Sequence, residues 1–144
     1  MRVKIVINEL FEHDYVEIHT KEVNKEISEA VLQLQNNTKV IPVNEDGKIK
    51  VLKQTEIYLV KSSEGSLIVK TKDKTYTLNK KLYEVPLLMG PDFMRISKST
   101  YINLKHLDSV EATFGGVMRV NLKNNDKDYI SRMYVKELKK YLKI

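Results

Sequence analysis

The sequence predicts an α+β chain that is mostly β, with a β-β-α unit at its start. Three observations predict it. Period-two alternation opens the chain and recurs in short runs between residues 40 and 130. Gly, Asn and Asp cluster between those runs, as tight turns require. The clear helical stripes are few: one over residues 23–34 and one over 134–142.

In residues 1–8, Val3, Ile5 and Ile7 fall on one face and Arg2, Lys4 and Val6 on the other, the pattern of a strand. Residues 15–19 read as a second strand with Val16 and Ile18 inward. Thr20 is placed to cap the helix that follows, where Val23, Ile27, Ala30, Val31 and Leu34 form one apolar stripe. That stripe suits either packing on a sheet or a partner surface. Asn36-Asn37 ends it.

Residues 40–43 and 48–53 read as strands around Glu45-Asp46-Gly47. Residues 56–61 form the next strand, with Ile57, Leu59 and Val60 buried. A turn over residues 62–66, a strand over 67–71, a turn at Lys72-Asp73-Lys74 and a strand over 75–78 follow. Asn79 caps a short helix over residues 80–89, which Pro86 keeps brief. Residues 93–96 and 101–103 are apolar and flank a polar stretch at 97–100. Residues 107–114 and 117–122 are strands joined at Gly115-Gly116. After Asn124-Asn125-Asp126 come a last strand, 128–130, and a helix capped by Ser131, whose stripe is Tyr134, Val135, Leu138, Tyr141 and Leu142.

The 144 residues fit one domain with a small appendage. Net charge is +6, unevenly spread: residues 1–50 hold 7 Lys and Arg against 9 Asp and Glu, and residues 51–144 hold 18 against 10. The division expected is an N-terminal unit, 1–40, and a basic domain, 41–144. A basic segment suits a polyanion, although a lysine-rich surface alone gives the same count. There is no cysteine, so disulfides and thiolate metal sites are excluded. No apolar run approaches a membrane span and no signal peptide is legible, which predicts a soluble cytoplasmic protein without membrane insertion.

Enzyme signals are weak. His13, His19 and His106 lack a second histidine at ligand spacing, no Gly-rich phosphate loop exists, and no Ser sits in a nucleophile elbow. No catalytic residue, metal site or cofactor is expected. Tyr76 with Lys74 and Lys80 is the nearest approach to an aromatic-basic stacking surface.

Three stretches carry a stronger message. Residues 57–71 run Ile-Tyr-Leu-Val-Lys-Ser-Ser, a turn, then Leu-Ile-Val-Lys-Thr. Residues 93–104 read Phe-Met-Arg-Ile-Ser-Lys-Ser-Thr-Tyr-Ile-Asn-Leu. Residues 130–138 read Ile-Ser-Arg-Met-Tyr-Val-Lys-Glu-Leu. In this order and spacing, over residues 45–144, they resemble the bacterial LytTR DNA-binding domain.

The resemblance implies small stacked β-sheets with short helices, reading neighbouring major grooves of duplex DNA with loops. Three loops would approach DNA: residues 62–66, Ser97-Lys98-Ser99 and Ser131-Arg132-Met133. Lys98 and Arg132 are the expected base readers, since both reach guanine acceptors. Ser63, Ser66, Ser97, Ser99, Ser131 and Lys136 are expected on phosphates. Arg95 meets either a phosphate or an internal salt bridge, and a one-residue shift would put Met133 rather than Arg132 in the base-reading place. Bland roles stand beside these: Ser131 as a cap, Ser97 and Ser99 as turn residues, Asn103 as a structural turn residue. Glu64 would repel phosphate.

The reading is a sequence-specific transcriptional regulator acting as a homodimer or as paired monomers on repeats. The resemblance also admits control by a neighbouring membrane protein. The alternatives are a single-stranded nucleic-acid or RNA-binding β module, and a protein-interaction module acting through residues 1–37.

Overall fold

The computed structural model describes residues 4–5, 7–10, 12, 16–35 and 40–144. The chain divides into two compact units, Met1–Asn36 and Asn37–Ile144.

In the first unit one helix forms, α1 (Lys25–Gln35). Its cap is Asn24, not Thr20: the Asn24 side-chain carbonyl accepts from the Ile27 N–H at 2.9 Å. Thr20 instead donates to the Glu22 carbonyl. The described parts of the two strands expected here, residues 4–5, 7–8 and 16–19, carry no strand. Alternation is only a template, and a strand also needs a ladder partner. Ile5, Ile7 and Val16 are exposed. The other residues of those strands, and His13, lie outside the described residues.

The second unit begins with a hairpin, β1 (Val40–Glu45) and β2 (Lys48–Lys53). Asp46 and Gly47 both take positive φ, as the two-residue hairpin turn demands. Next come β3 (Leu59–Ser63), β4 (Ser66–Lys70) and β5 (Thr75–Leu78). The turn expected over residues 62–66 shrinks to Glu64-Gly65, both at positive φ, so Ser63 and Ser66 face each other as the last strand pair.

The helix expected over 80–89 divides into a 3-10 turn, Leu82–Glu84, and α2 (Val85–Met89) with Pro86 in its first turn. Asn79 does not cap it; the Glu84 carboxylate accepts from the Lys81 N–H at 2.7 Å.

Strands β6 (Phe93–Arg95) and β7 (Thr100–Asn103) complete a seven-stranded antiparallel sheet, ordered β2-β1-β5-β4-β3-β7-β6. A second antiparallel sheet holds β8 (Leu107–Ala112), β9 (Met118–Leu122) and β10 (Lys127–Ile130), ordered β10-β9-β8. Helix α3 (Arg132–Leu142) ends the unit.

Neighbouring residues of the central strands belong to different cores. Val60, Phe93 and Tyr101 join one core with Ile41, Val69 and Met89. Leu59, Met94 and Ile102 join another with Val120, Ile130 and Leu138. Strands covered on both faces read as apolar runs, not alternations, which is how residues 57–60 and 93–96 appear in the sequence. The second core fastens α3 to the small sheet and to β6 and β7. It thereby fixes where α3 begins.

Candidate nucleic-acid interface

The three expected loops meet. The Ser62 N–H donates to the Ser99 carbonyl at 2.8 Å, tying the β3 end to the β6–β7 loop. The Ser131 N–H donates to the Ile96 carbonyl at 2.9 Å, tying the start of α3 to the same loop. Residues 63, 98 and 132 are thus brought to one edge by backbone bonds between segments distant in sequence.

Within the central loop most polar groups are already engaged. Arg95 donates through Nε to the Ser97 carbonyl (3.0 Å) and through Nη2 to the Lys98 carbonyl (2.8 Å). Its guanidinium also lies 5.9 Å from the Tyr101 ring centroid. Those bonds join it to loop carbonyls; no internal salt bridge forms on Arg95 among the described residues.

A chain of hydroxyls crosses the loop. Thr100 Oγ1 donates to Asp128 (3.3 Å), so Ser99 Oγ must donate to Thr100, and Ser97 Oγ to Ser99, each at 3.3 Å. The Ser99 N–H goes to Ser97 Oγ. Both serine protons are then spent inside the protein. Lys61 is paired with Asp128 at 3.6 Å. Lys98 alone extends from the loop, exposed, and makes no ion pair among the described residues.

Ser131 stands at the N-cap position of α3, with extended backbone, but its hydroxyl makes no capping bond. It points instead to the Ile96 carbonyl at 3.5 Å. Arg132 and Met133 follow, both exposed. They differ in support. A Cβ built on Gly115 would lie 3.1 Å from Arg132 Nη2, and one on Gly116 3.6 Å from Nε. The guanidinium therefore rests near the backbone of the Phe114–Gly116 turn, where a side chain at Gly115 would crowd it. Met133 has no comparable brace described.

Residue Phe114 at this turn is fully exposed. Residue-level reading assigned it to the end of a strand and missed it. Lys139 and Lys140, exposed on α3, were also missed. Lys136 sits one turn after Arg132. Arg132, Lys136, Lys139 and Lys140 make no ion pair among the described residues.

At the β3–β4 turn, Ser66 Oγ donates to the Ser63 carbonyl at 3.4 Å, and Lys81 Nζ donates to the Gly65 carbonyl at 2.9 Å. Ser63 and Ser66 are half-buried, and Glu64 is exposed. Asn103 is a structural turn residue: its amide donates to the Ile57 carbonyl and its side-chain oxygen accepts from the Lys105 N–H. Tyr76 is buried, so it offers no stacking face. No group of three His, Cys, Asp or Glu with metal-holding geometry occurs among the described residues, and no helix there is long and apolar enough to cross a membrane.

Comparison with known proteins bears on the family and the fold. Residues 47–143 match the family described as the LytTr DNA-binding domain. The sensory transduction protein LytR of Staphylococcus haemolyticus is 32% identical over 101 residues, 69% of this chain and 40% of that protein. An HTH-type transcriptional regulator of Staphylococcus aureus strain MSSA476 is 25% identical over 147 aligned positions, covering 100% of this chain and 99% of the relative. The chain thus spans well under half of the first and nearly all of the second.

A solved LytTr DNA-binding domain of a Bacillus cereus methyl-accepting/DNA response regulator superposes with a TM-score of 0.68 at 17% identity, covering 74% of this chain and 98% of that domain. That likeness establishes the fold. Among the described residues no two helices form a helix-turn-helix: five strands separate α2 from α3.

Proposed function

The chain belongs to the LytTR DNA-binding domain family and is a DNA-binding transcriptional regulator, and from that premise we propose that it reads the major grooves of duplex DNA with the three joined loops. Lys98 and Arg132 contact base edges. Lys136 and Ser63 lie along phosphates, and Ser66 and Ser131 join them by turning their hydroxyls away from the Ser63 and Ile96 carbonyls. Arg95 holds the central loop in shape. Ser97 and Ser99, expected on phosphates, contribute mainly through the hydroxyl chain that stiffens the loop and leaves Lys98 as its free donor. Arg132 rather than Met133 is the reader at the α3 start, because its guanidinium is braced and forked for guanine.

One observation carries this reading: the Ser62–Ser99 and Ser131–Ile96 backbone bonds join three loops into one edge bearing unpaired cations. Such an edge is rigid before DNA arrives, so little ordering cost falls on binding. The DNA-binding domain is the second unit, Asn37–Ile144, which starts a few residues before the expected 41 because β1 begins at Val40. Residues 1–36 serve as the assembly or regulatory element of a homodimer, or of monomers paired on repeats.

The test is selection of bound duplexes from a random pool, followed by Lys98→Ala and Arg132→Ala on the selected site. Each variant is expected to lose about 1–3 kcal/mol and to relax preference at one base position. Unchanged preference across a panel of altered sites would remove that residue from base reading. Equal competition by single strands would end the duplex reading.

A further inference from the structure

Between the Phe114–Gly116 turn and α3 lies a groove of about 720 Å³. Its cations are Arg132, Lys136, Lys139 and Lys140; its apolar floor is Val135 and Ile144, and Gly116 forms the facing wall. No Asp or Glu side chain lines it. Four cations on one short surface repel one another, and none of them forms an ion pair among the described residues. An anion in the groove would offset that repulsion.

Resting on the reading above, we propose that this groove takes a continuous stretch of the DNA phosphodiester backbone beyond the bases read by Arg132, making Lys139 and Lys140 phosphate contacts and the Phe114–Gly116 turn a fourth element of the interface. The charge is complementary: Arg132, Lys136 and Lys140 recur at a four-residue spacing along one helix face, with Lys139 beside them, so the cations form a strip. The floor suits the chain too, since deoxyribose is apolar where phosphate is not. Continuity supplies the address. Arg132 is at once the reader at the α3 start and the first cation of the groove, so a strand held by Lys136 leads toward Lys139 and Lys140. Phe114, at the same turn as Gly116, is fully exposed and free to meet a sugar or base face. A compact anion would engage one or two of these cations and leave the rest unneutralised.

The experiment measures affinity of the full chain for the selected duplex and for a random duplex between about 50 and 200 mM salt. Lys139→Gln and Lys140→Gln are combined, with Lys72→Gln, at the opposite end of β4, as the control. The double variant is expected to weaken both duplexes by a similar factor and leave base preference intact. The slope of log affinity on log salt should shrink by about 0.9 for each lysine that meets a phosphate. The control should leave the slope alone. Circular dichroism and thermal melting check that the variant is folded, and the lysines' exposure predicts that it is.

A double variant with the wild-type slope overturns the groove while Arg132→Ala still tests the reading. Equal slope loss from Lys72→Gln overturns it also, since the effect would then be net charge. Wild-type protein that ignores duplex DNA overturns the reading and the groove together.

Discussion

The two ends of the β3–β4 ladder hold similar lysine-rich sequence and treat it in opposite ways. At the end where β4 leaves for β5, three cations are matched. Lys70 pairs with Asp126 at 3.5 Å, and Lys74 and Lys50 share Glu45 at 3.4 and 4.0 Å. Asn124 stitches this end by donating to the Thr71 carbonyl and to Asp126. At the other end, Lys98, Arg132, Lys136, Lys139 and Lys140 have no acid among the described residues. Pairing therefore removes part of the positive charge of residues 51–144 at one edge, while these five cations stay unpaired at the other. A surface ion pair is worth little to stability, so what the contrast governs is the field each edge presents.

The largest expected effect tests whether the unpaired edge is rigid. Leu138 is fully buried in the core that joins α3 to the small sheet. Leu138→Ala should cost about 2–5 kcal/mol of unfolding free energy, measured by urea denaturation. A loss below about 1 kcal/mol would mean that α3 is loosely held, and that the edge is not organised before DNA arrives.

The next prediction separates shape from charge. Gly115 has φ +75° and a Cβ there would meet Arg132 Nη2 at 3.1 Å. Gly115→Val changes no charge, yet it strains the turn and displaces the guanidinium. It should relax the same base position as Arg132→Ala, by about 1–3 kcal/mol, while the salt slope changes little. Full retention of that preference would show that the brace does not aim Arg132.

Much of this molecule was legible in its residues, and the exceptions share a cause. β2 and β5 occupy the expected spans because a two-residue turn at Asp46-Gly47 and local alternation define them. Helix α3 starts after Ser131 as expected, although the Ser131 hydroxyl bonds the Ile96 carbonyl and makes no capping bond. What failed to show was long-range. The Arg95 bonds, the hydroxyl path to Asp128, the turn against Arg132 and the pairing of Lys74 with Glu45 join residues whose proximity no period announces. The N-terminal strands erred the other way: the sequence alternates over 4–8, yet the described residues there carry no strand, since alternation alone supplies no ladder partner.

The smallest effect concerns the matched edge. Lys74 is held protonated above the ordinary lysine range, first by its hydrogen bond to Glu45 and then by the carboxylate's charge. A cation whose folded value is raised supports the fold below its unfolded value, about pH 10.4 for lysine, and that support fades as pH rises through the folded value. Replacing Glu45 by Gln removes it. The melting temperature of the wild type should therefore exceed that of Glu45→Gln by a small constant margin near neutrality, narrowing only in strong alkali. The same variant frees Lys50 and Lys74 on the edge away from the loops, so its salt slope on duplex DNA should match the wild type. A steeper slope would put the freed lysines in contact with phosphate and erase the distinction between the two ends.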